Sequence, residues 1–271
     1  MSEWKDKVIV ITGAGSGIGK ALAEHFAVNQ AKLVLTDINN ENLQVVCGQL
    51  NHCVLCSHAL DVTSTEGWEA LKAMLVEQVG YVDIVINNAG MSNFDYFTET
   101  PPEQFDRVLD VNLNGVVYGC RYMLPLLLNA KSGLIVNVSS IFGAITVPAM
   151  TAYHTSKFAV RGFSSALQQD MKYQGFPIKV VCVMPGGIKT NIARNSLSEN
   201  RDFDKYVRHF DSVAYTTPKR AAQIIAKGMR KRKPQVLVGP DAKFANFLQW
   251  LLGDAYHRVT NALLGVNNIL K

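Results

Sequence analysis

Seven apolar stretches rich in Val and Ile recur along the chain: KVIVIT from Lys7, KLVLT from Lys32, CVLCSHAL from Cys53, DIVIN from Asp83, GLIVNV from Gly133, IKVVCVM from Ile178 and QVLVG from Gln235. Each is continuously apolar instead of alternating with polar residues, which suits strands buried on both faces of a sheet. The segments between them are long enough for crossover helices, so the pattern predicts an α/β fold built on a doubly wound, parallel, seven-stranded sheet. No Pro/Ser-rich linker, low-complexity tract or internal repeat divides it, and residues 1–271 are expected to form a single domain.

Two segments break the rhythm. From about Gly186 to Thr217 (186–217) polar residues and the scattered aromatics Phe203, Tyr206, Phe210 and Tyr215 replace the strand-helix alternation. Irregular insertions of this kind often serve as lids or binding loops. The last stretch, 240–271, carries Phe244, Phe247, Leu248, Leu251 and Leu252 on one helical stripe, then Tyr256, Val259 and Leu263 on another. These two short helices are expected to pack on the core, on the insertion or on a neighbouring subunit.

An apolar content of 48% with 18% charged residues excludes disorder and coiled coil. No apolar run approaches the roughly 18 residues of a membrane-spanning helix. The opening MSEWKDKVIV has charges where a signal peptide needs an apolar stretch, which makes the cytoplasm the default expectation. The net charge of +5 equals the local run Lys227, Arg230, Lys231, Arg232 and Lys233 at the end of a predicted helix. Cations are favoured there by the helix dipole, and no aromatic residues interleave as single-strand binding requires, so nucleic acid is not an expected partner. Five cysteines, an odd number, read as free thiols. The pair Cys53 and Cys56 falls on a predicted strand whose period of two sends them to opposite faces, against a metal or redox site.

The first strand runs into TGAGSGIG, with Gly13, Gly17 and Gly19 ahead of the helical run KALAEHFAV. A glycine turn there lets the backbone approach a pyrophosphate and aims helix amides at it, although such turns also serve close helix packing. Asp37 ends the second strand 18 residues past Gly19. A carboxylate in that place accepts hydrogen bonds from ribose hydroxyls and repels a 2′-phosphate. No Arg or Lys stands at Ser16 or beside Asp37 to offset the repulsion, so NAD is expected over NADP. A plain strand-end turn former is the alternative for Asp37.

The stripe Phe105, Val108, Leu109, Asn112, Val116 sets a polar Asn112 among core positions, where a buried amide needs partners. The fifth strand ends in NVSS, with Ser139, and a helix opens with YHTSK, placing Tyr153 and Lys157 four apart on one face. A phenol with a pKa near about 10 is a poor base at neutral pH, and a fixed cation beside it favours the phenolate.

From Lys5 to about Thr190 the sequence resembles a short-chain dehydrogenase/reductase of the single-domain, Rossmann-fold type. TGAGSGIG, Asp37, the pair Asp61 and Val62, NNAG at Asn87 to Gly90, Asn112, Ser139, Tyr153, Lys157 and PGGIKT from Pro185 to Thr190 stand in the family's order. The resemblance implies that Gly13, Ser16, Gly17, Ile18 and Gly19 hold the dinucleotide. Asp61 and Val62 would border its adenine, Asn88 and Gly90 would line the pocket floor, and Pro185, Ile188 and Thr190 would meet the nicotinamide end. Tyr153 would be general base for alcohol oxidation and general acid for carbonyl reduction. Ser139 would hydrogen-bond the substrate oxygen. Lys157 would hold the nicotinamide ribose and lower the Tyr153 pKa. Asn112 would distort its helix and position a water in a proton relay. A homodimer or homotetramer is implied as well.

Substrate should lie beyond the strand ends, near Phe94, Ile141, Phe142, Ile145, Val147, Met150 and Ile192. That largely apolar set lacks an Arg to clamp a carboxylate or phosphate, although Arg194, Arg201, Lys205 and Arg208 of the insertion could still serve a charged group. The expected activity is hydride transfer between NAD(H) and a neutral, largely hydrophobic secondary alcohol or ketone. The alternatives are an NADPH-dependent carbonyl reductase, or a peripheral membrane dehydrogenase acting on a lipid-like or steroid-like substrate.

Overall fold

The computed structural model describes residues 3–200 and 202–263, the last four of these by backbone alone. The predicted strands form at Val8–Thr12 (β1), Lys32–Asp37 (β2), Val54–Ala59 (β3), Ile84–Asn87 (β4), Gly133–Val138 (β5), Ile178–Pro185 (β6) and Gln235–Val238 (β7). They make one sheet in the order β3-β2-β1-β4-β5-β6-β7, parallel at every pairing. The strand order reverses between β1 and β4, and in such sheets a crevice opens there beyond the carboxyl ends.

The helices are Gly17–Val28 (α1), Asn40–Gln49 (α2), Thr65–Gln78 (α3), Pro102–Leu109 (α4), Gly115–Leu128 (α5), Thr151–Tyr173 (α6), Phe203–Val213 (α7), Pro218–Arg230 (α8), Pro240–Leu252 (α9) and Tyr256–Leu263 (α10). Alternation along β1 divides the core: Ile9 and Ile11 pack with α1, α2 and α8, and Val8 and Val10 with α3, α5 and α6. Cys53 joins the first of these cores and Cys56 the second, so the two thiols do lie on opposite faces, and all five cysteines are free. Side chains cap several helices: Asn39 accepts from the Asn42 amide, Ser64 from Gly67 and Thr217 from Arg220. Helix α1 is not capped in this way, for Ser16 makes no capping bond.

The insertion is more regular than its polar sequence suggests. Phe203, Tyr206, Val207 and Phe210 recur at helical spacing, and α7 turns them onto Phe94, Met150 and Tyr153. Its leading arm is laced to the chain after β4, where the Phe94 amide donates to the Leu197 carbonyl and the Leu197 amide to the Ser92 carbonyl, both at 2.9 Å. Arg201 lies outside the described residues, as does the side chain of Leu263.

The C-terminal stripe packs only in part. Leu248 is buried, but Phe244, Phe247 and Leu251 stay 52%, 50% and 56% exposed, together with Trp250, because α9 turns Ala242, Ala245 and Leu248 inward. Tyr256 of α10 is buried. Residues Lys227 and Arg230 to Lys233 are solvent-exposed at the end of α8. No helix among the described residues is long and apolar enough to cross a membrane.

Candidate active site

A cleft of about 870 Å³ opens at the carboxyl ends of β1, β4, β5 and β6, and α7 and α9 line its outer part. Its inner end is the glycine turn. Gly13 has φ +64, and a side chain at Gly19 would put its Cβ 2.0 Å from the Gly13 carbonyl oxygen, so α1 starts hard against the turn that precedes it. The uncapped first turn of α1 meets the cleft at Ser16, Gly17 and Ile18. Free amides at a helix N-terminus are the donor set that a pyrophosphate takes, and the residues fit a dinucleotide there.

Asp37 lines the same cleft from the end of β2. Both oxygens accept main-chain bonds at 2.8 Å, Oδ2 from Gly15 and Oδ1 from Asn39. The carboxylate therefore also shapes the turn, and it keeps acceptor capacity for hydroxyls, since an ionised carboxylate offers about four lone-pair sites. Asp61 and Val62 border the next part. Partial burial raises the Asp61 pKa, but the Thr63 amide and hydroxyl and the Arg107 guanidinium outweigh it and hold the carboxyl below its usual range. Arg107, which the sequence had not singled out, is a cation in the cleft whose charge already faces Asp61 at 3.0 Å.

Asn88 acts chiefly as a bracket. Its Nδ2 donates to the Thr12 carbonyl at 2.9 Å and its amide to Thr12 Oγ1 at 3.0 Å, tying β4 to the glycine turn. Asn112 is fully buried in a π-helical turn, Asp110–Asn114, so its helix is distorted as expected. Its Nδ2 donates to the Met91 carbonyl and to Ser156 Oγ, and its Oδ1 accepts from the Met91 amide. Gly90 leaves the space beside it clear: a Cβ there would sit 3.0 Å from Asn112 Oδ1 and 3.4 Å from Lys157 Nζ.

Tyr153 and Lys157 come together as their spacing demands. The ammonium lies 5.6 Å from the centre of the Tyr153 ring and donates to the Val138 carbonyl at 3.2 Å. Ser139 requires correction. Its hydroxyl is engaged by α6, donating to the Lys157 main-chain carbonyl at 2.7 Å, although the residue borders the cleft. The next residue, Ser140, has its side chain within hydrogen-bonding reach of the Tyr153 phenol and lines the cleft. Alternation explains the exchange, because Ser139 shares the face of Ile135 and Asn137 toward α6.

Burial dominates the electrostatics. Tyr153 is 7% exposed and Lys157 3%. Desolvation pushes the phenol up to about 12, against the Ser140 hydrogen bond, and pulls the ammonium down from 10.5 to about 8. In the protein by itself burial therefore outweighs any lowering of the Tyr153 pKa by Lys157.

Beyond Tyr153 the cleft is lined by Phe94, Phe142, Ile145 and Ile192, as the sequence suggested, and by Tyr206 and Phe210 of α7. Tyr206 stacks on Phe94 at 4.1 Å. The described cations of the insertion stay out of the lining: Arg194 pairs with Asp211, Lys205 with Asp202 at 2.7 Å, and Arg208 is exposed. At the nicotinamide end Pro185, Ile188 and Thr190 reach the cleft. Asp241 of α9 props that turn by accepting from the Gly187 amide at 2.6 Å, a contact 54 residues away in sequence that no local pattern announces.

A parallel α/β sheet with a dinucleotide-type glycine turn and a buried Tyr-Lys pair at one crevice defines a nicotinamide-dependent oxidoreductase class. The chain belongs to the short chain dehydrogenase family, whose sequence pattern matches residues 7–201. It is 40% identical over 266 residues to the protein named "Putative oxidoreductase SadH" of Mycobacterium tuberculosis, covering 97% of this chain and 96% of that one. Among solved structures it is similar to a short chain dehydrogenase/reductase from Burkholderia phymatum in complex with NAD (TM-score 0.85, 27% identity, 93% of this chain and 95% of the other). It is also similar to an alcohol dehydrogenase from Thermococcus sibiricus complexed with 5-hydroxy-NADP (TM-score 0.73, 25% identity, 86% and 95% covered). The protein is thus an oxidoreductase of this family, with a fold that binds nicotinamide cofactors.

Replacing the buried ammonium separates stability from function. Lys157→Met is expected to stabilise the cofactor-free protein at pH 7 by on the order of 1–3 kcal/mol in urea unfolding, because an apolar side chain carries no desolvation cost. The folded Lys157 pKa, about 8, lies below the unfolded value of 10.5, so the penalty is complete below pH 8 and is relieved as pH rises toward 10.5. The gain should shrink over that window. A variant less stable than wild type at pH 7 would contradict the assignment.

Proposed function

We propose that the protein transfers a hydride between NAD(H) and a neutral, largely hydrophobic secondary alcohol or ketone, with Tyr153 as acid and base. The observation that carries this reading is the Tyr153 phenol, which faces an apolar cleft with Ser140 in reach and Lys157 behind its ring. The bound nicotinamide would supply or take up the hydride at the substrate carbon. Tyr153 hands its proton to the substrate oxygen in reduction and takes the hydroxyl proton in oxidation. Ser140 replaces Ser139 as the donor that steadies charge on that oxygen. Lys157 holds ribose hydroxyls and restores a proton to the phenol. Asn112 has spent both amide hydrogens, so it serves a water relay only as an acceptor through Oδ1.

The apolar lining and the outward or paired cations of the insertion support a neutral substrate. Asp37 at the adenosine end supports NAD, and Arg107, the one arginine lining the cleft among the described residues, is engaged by Asp61.

Tyr153→Phe is expected to keep cofactor binding and lose at least about a hundredfold in turnover, as removal of a general acid does. A panel of secondary alcohols and ketones followed at the reduced-cofactor absorbance gives the rate, and near-normal turnover would refute the mechanism. Asp37→Ser tests the cofactor assignment separately. Loss of charge-assisted bonds to the hydroxyls, with relief of phosphate repulsion, should move the ratio of kcat/KM for NAD(H) over NADP(H) by about tenfold or more toward NADP(H). A ratio that does not move would place Asp37 away from the ribose.

A further inference from the structure

The loop that follows Ser140 forms one wall of the cleft, and its hold on the rest of the molecule is unusual in source. Phe142, Ile145 and Val147 line the cleft from it. From below, α6 grips it with His154, whose Nε2 accepts from the Val147 amide at 3.0 Å while Nδ1 faces the Phe142 carbonyl at 3.1 Å. Acceptance from the Val147 amide needs the neutral ring, which burial favours by lowering the His154 pKa, and Nε2 also lies 3.1 Å from the Val147 carbonyl. Arg161, two turns on, donates to the Gly143 carbonyl at 3.2 Å.

The outer side is held from the far end of the chain. Tyr256, 110 residues on, is 5% exposed, accepts from the Thr146 amide at 2.9 Å and shares a second hydrogen bond with Thr146 Oγ1 at 3.1 Å. Its ring joins Ile141, Ile145, Met184 and Ala242 in an apolar cluster separate from the two main cores. Phe142 belongs to this cluster and also packs beside Tyr153, at 6.4 Å between ring centres and nearly perpendicular. One hydroxyl thus joins α10 to a segment that begins at Ser140 and touches the catalytic ring.

We propose that Tyr256 is a positioning residue: through Thr146 it fixes the loop of residues 140–147, so that the C-terminal helix α10 sets the shape, and hence the substrate affinity, of the cleft. The effect on affinity rests on the oxidoreductase reading above, whereas the clamp itself does not. Removing the hydroxyl leaves the Thr146 amide short of its partner and frees the loop to sample wider positions, while the phenyl ring keeps the apolar cluster filled.

The test uses the full chain with Tyr256→Phe. Hydrogen exchange of a peptide spanning residues 141–150 in the cofactor-free protein should quicken by about tenfold, with exchange in β5 unchanged. With cofactor saturating and a medium-chain methyl ketone that the wild type reduces, KM should rise by about fivefold, with kcat and cofactor affinity within about twofold. Unchanged exchange would overturn the clamp whether or not any ketone is turned over, which keeps its failure distinct from failure of the function proposed. Faster exchange with unchanged KM, or a lowered Tm with neither effect, would overturn the positioning role. Tyr256→Ala, which empties the ring's place in the cluster, should raise KM further, and a smaller effect than that of Tyr256→Phe would count against the proposal.

Discussion

Parallel pairing of β1, β4, β5 and β6 is the constraint on which the rest depends. Thr12, Asn87, Val138 and Pro185 end these strands on one edge, and the glycine turn, Asn88, Ser140 and the turn at Gly187 leave from those ends. The register is reinforced where it matters. Asn87 pairs directly with Asn137, and Asn87 Nδ2 donates to Asn137 Oδ1 at 2.9 Å with both side chains buried. A slip of one residue would expose these amides to apolar surroundings and turn every group at the edge to the wrong face.

The same packing that fixes the site also desolvates it. A phenol and an ammonium four residues apart on α6 are both held in their neutral-favouring direction, one raised and the other lowered. The cleft therefore favours the protonated form of Tyr153, and the buried Lys157 lies between Asn112, Gly90 and the Tyr153 ring. On the mechanism proposed above, stability and function are opposed at this position.

Much of this was legible in the sequence because its signals are local. The strands declared themselves by unbroken Val and Ile runs, Tyr153 and Lys157 by spacing, and Asp37 by its place after the glycine turn. Ser139 and Ser140 are hard to tell apart in sequence because adjacent serines differ only in phase, although the parity of Ile135 and Asn137 sets Ser139 toward α6 and leaves Ser140 to the Tyr153 phenol. Helix α7 was readable from Phe203, Tyr206, Val207 and Phe210 but was obscured by the polar residues around them. The contacts made by Asp241 and Tyr256 left no local trace, since each is a bond between segments that only the closed fold brings together.

The most direct measurement is the ionisation of Tyr153 itself. Ring-labelled tyrosine NMR of the cofactor-free protein, with Tyr153→Phe to assign the resonance, follows the phenol as pH rises. Tyr153 should remain protonated through the ordinary tyrosine range near about 10 and ionise only toward about 12. A phenol that ionises at or below about 10 would show that Lys157 and not burial governs the site, and would contradict the electrostatics described for it.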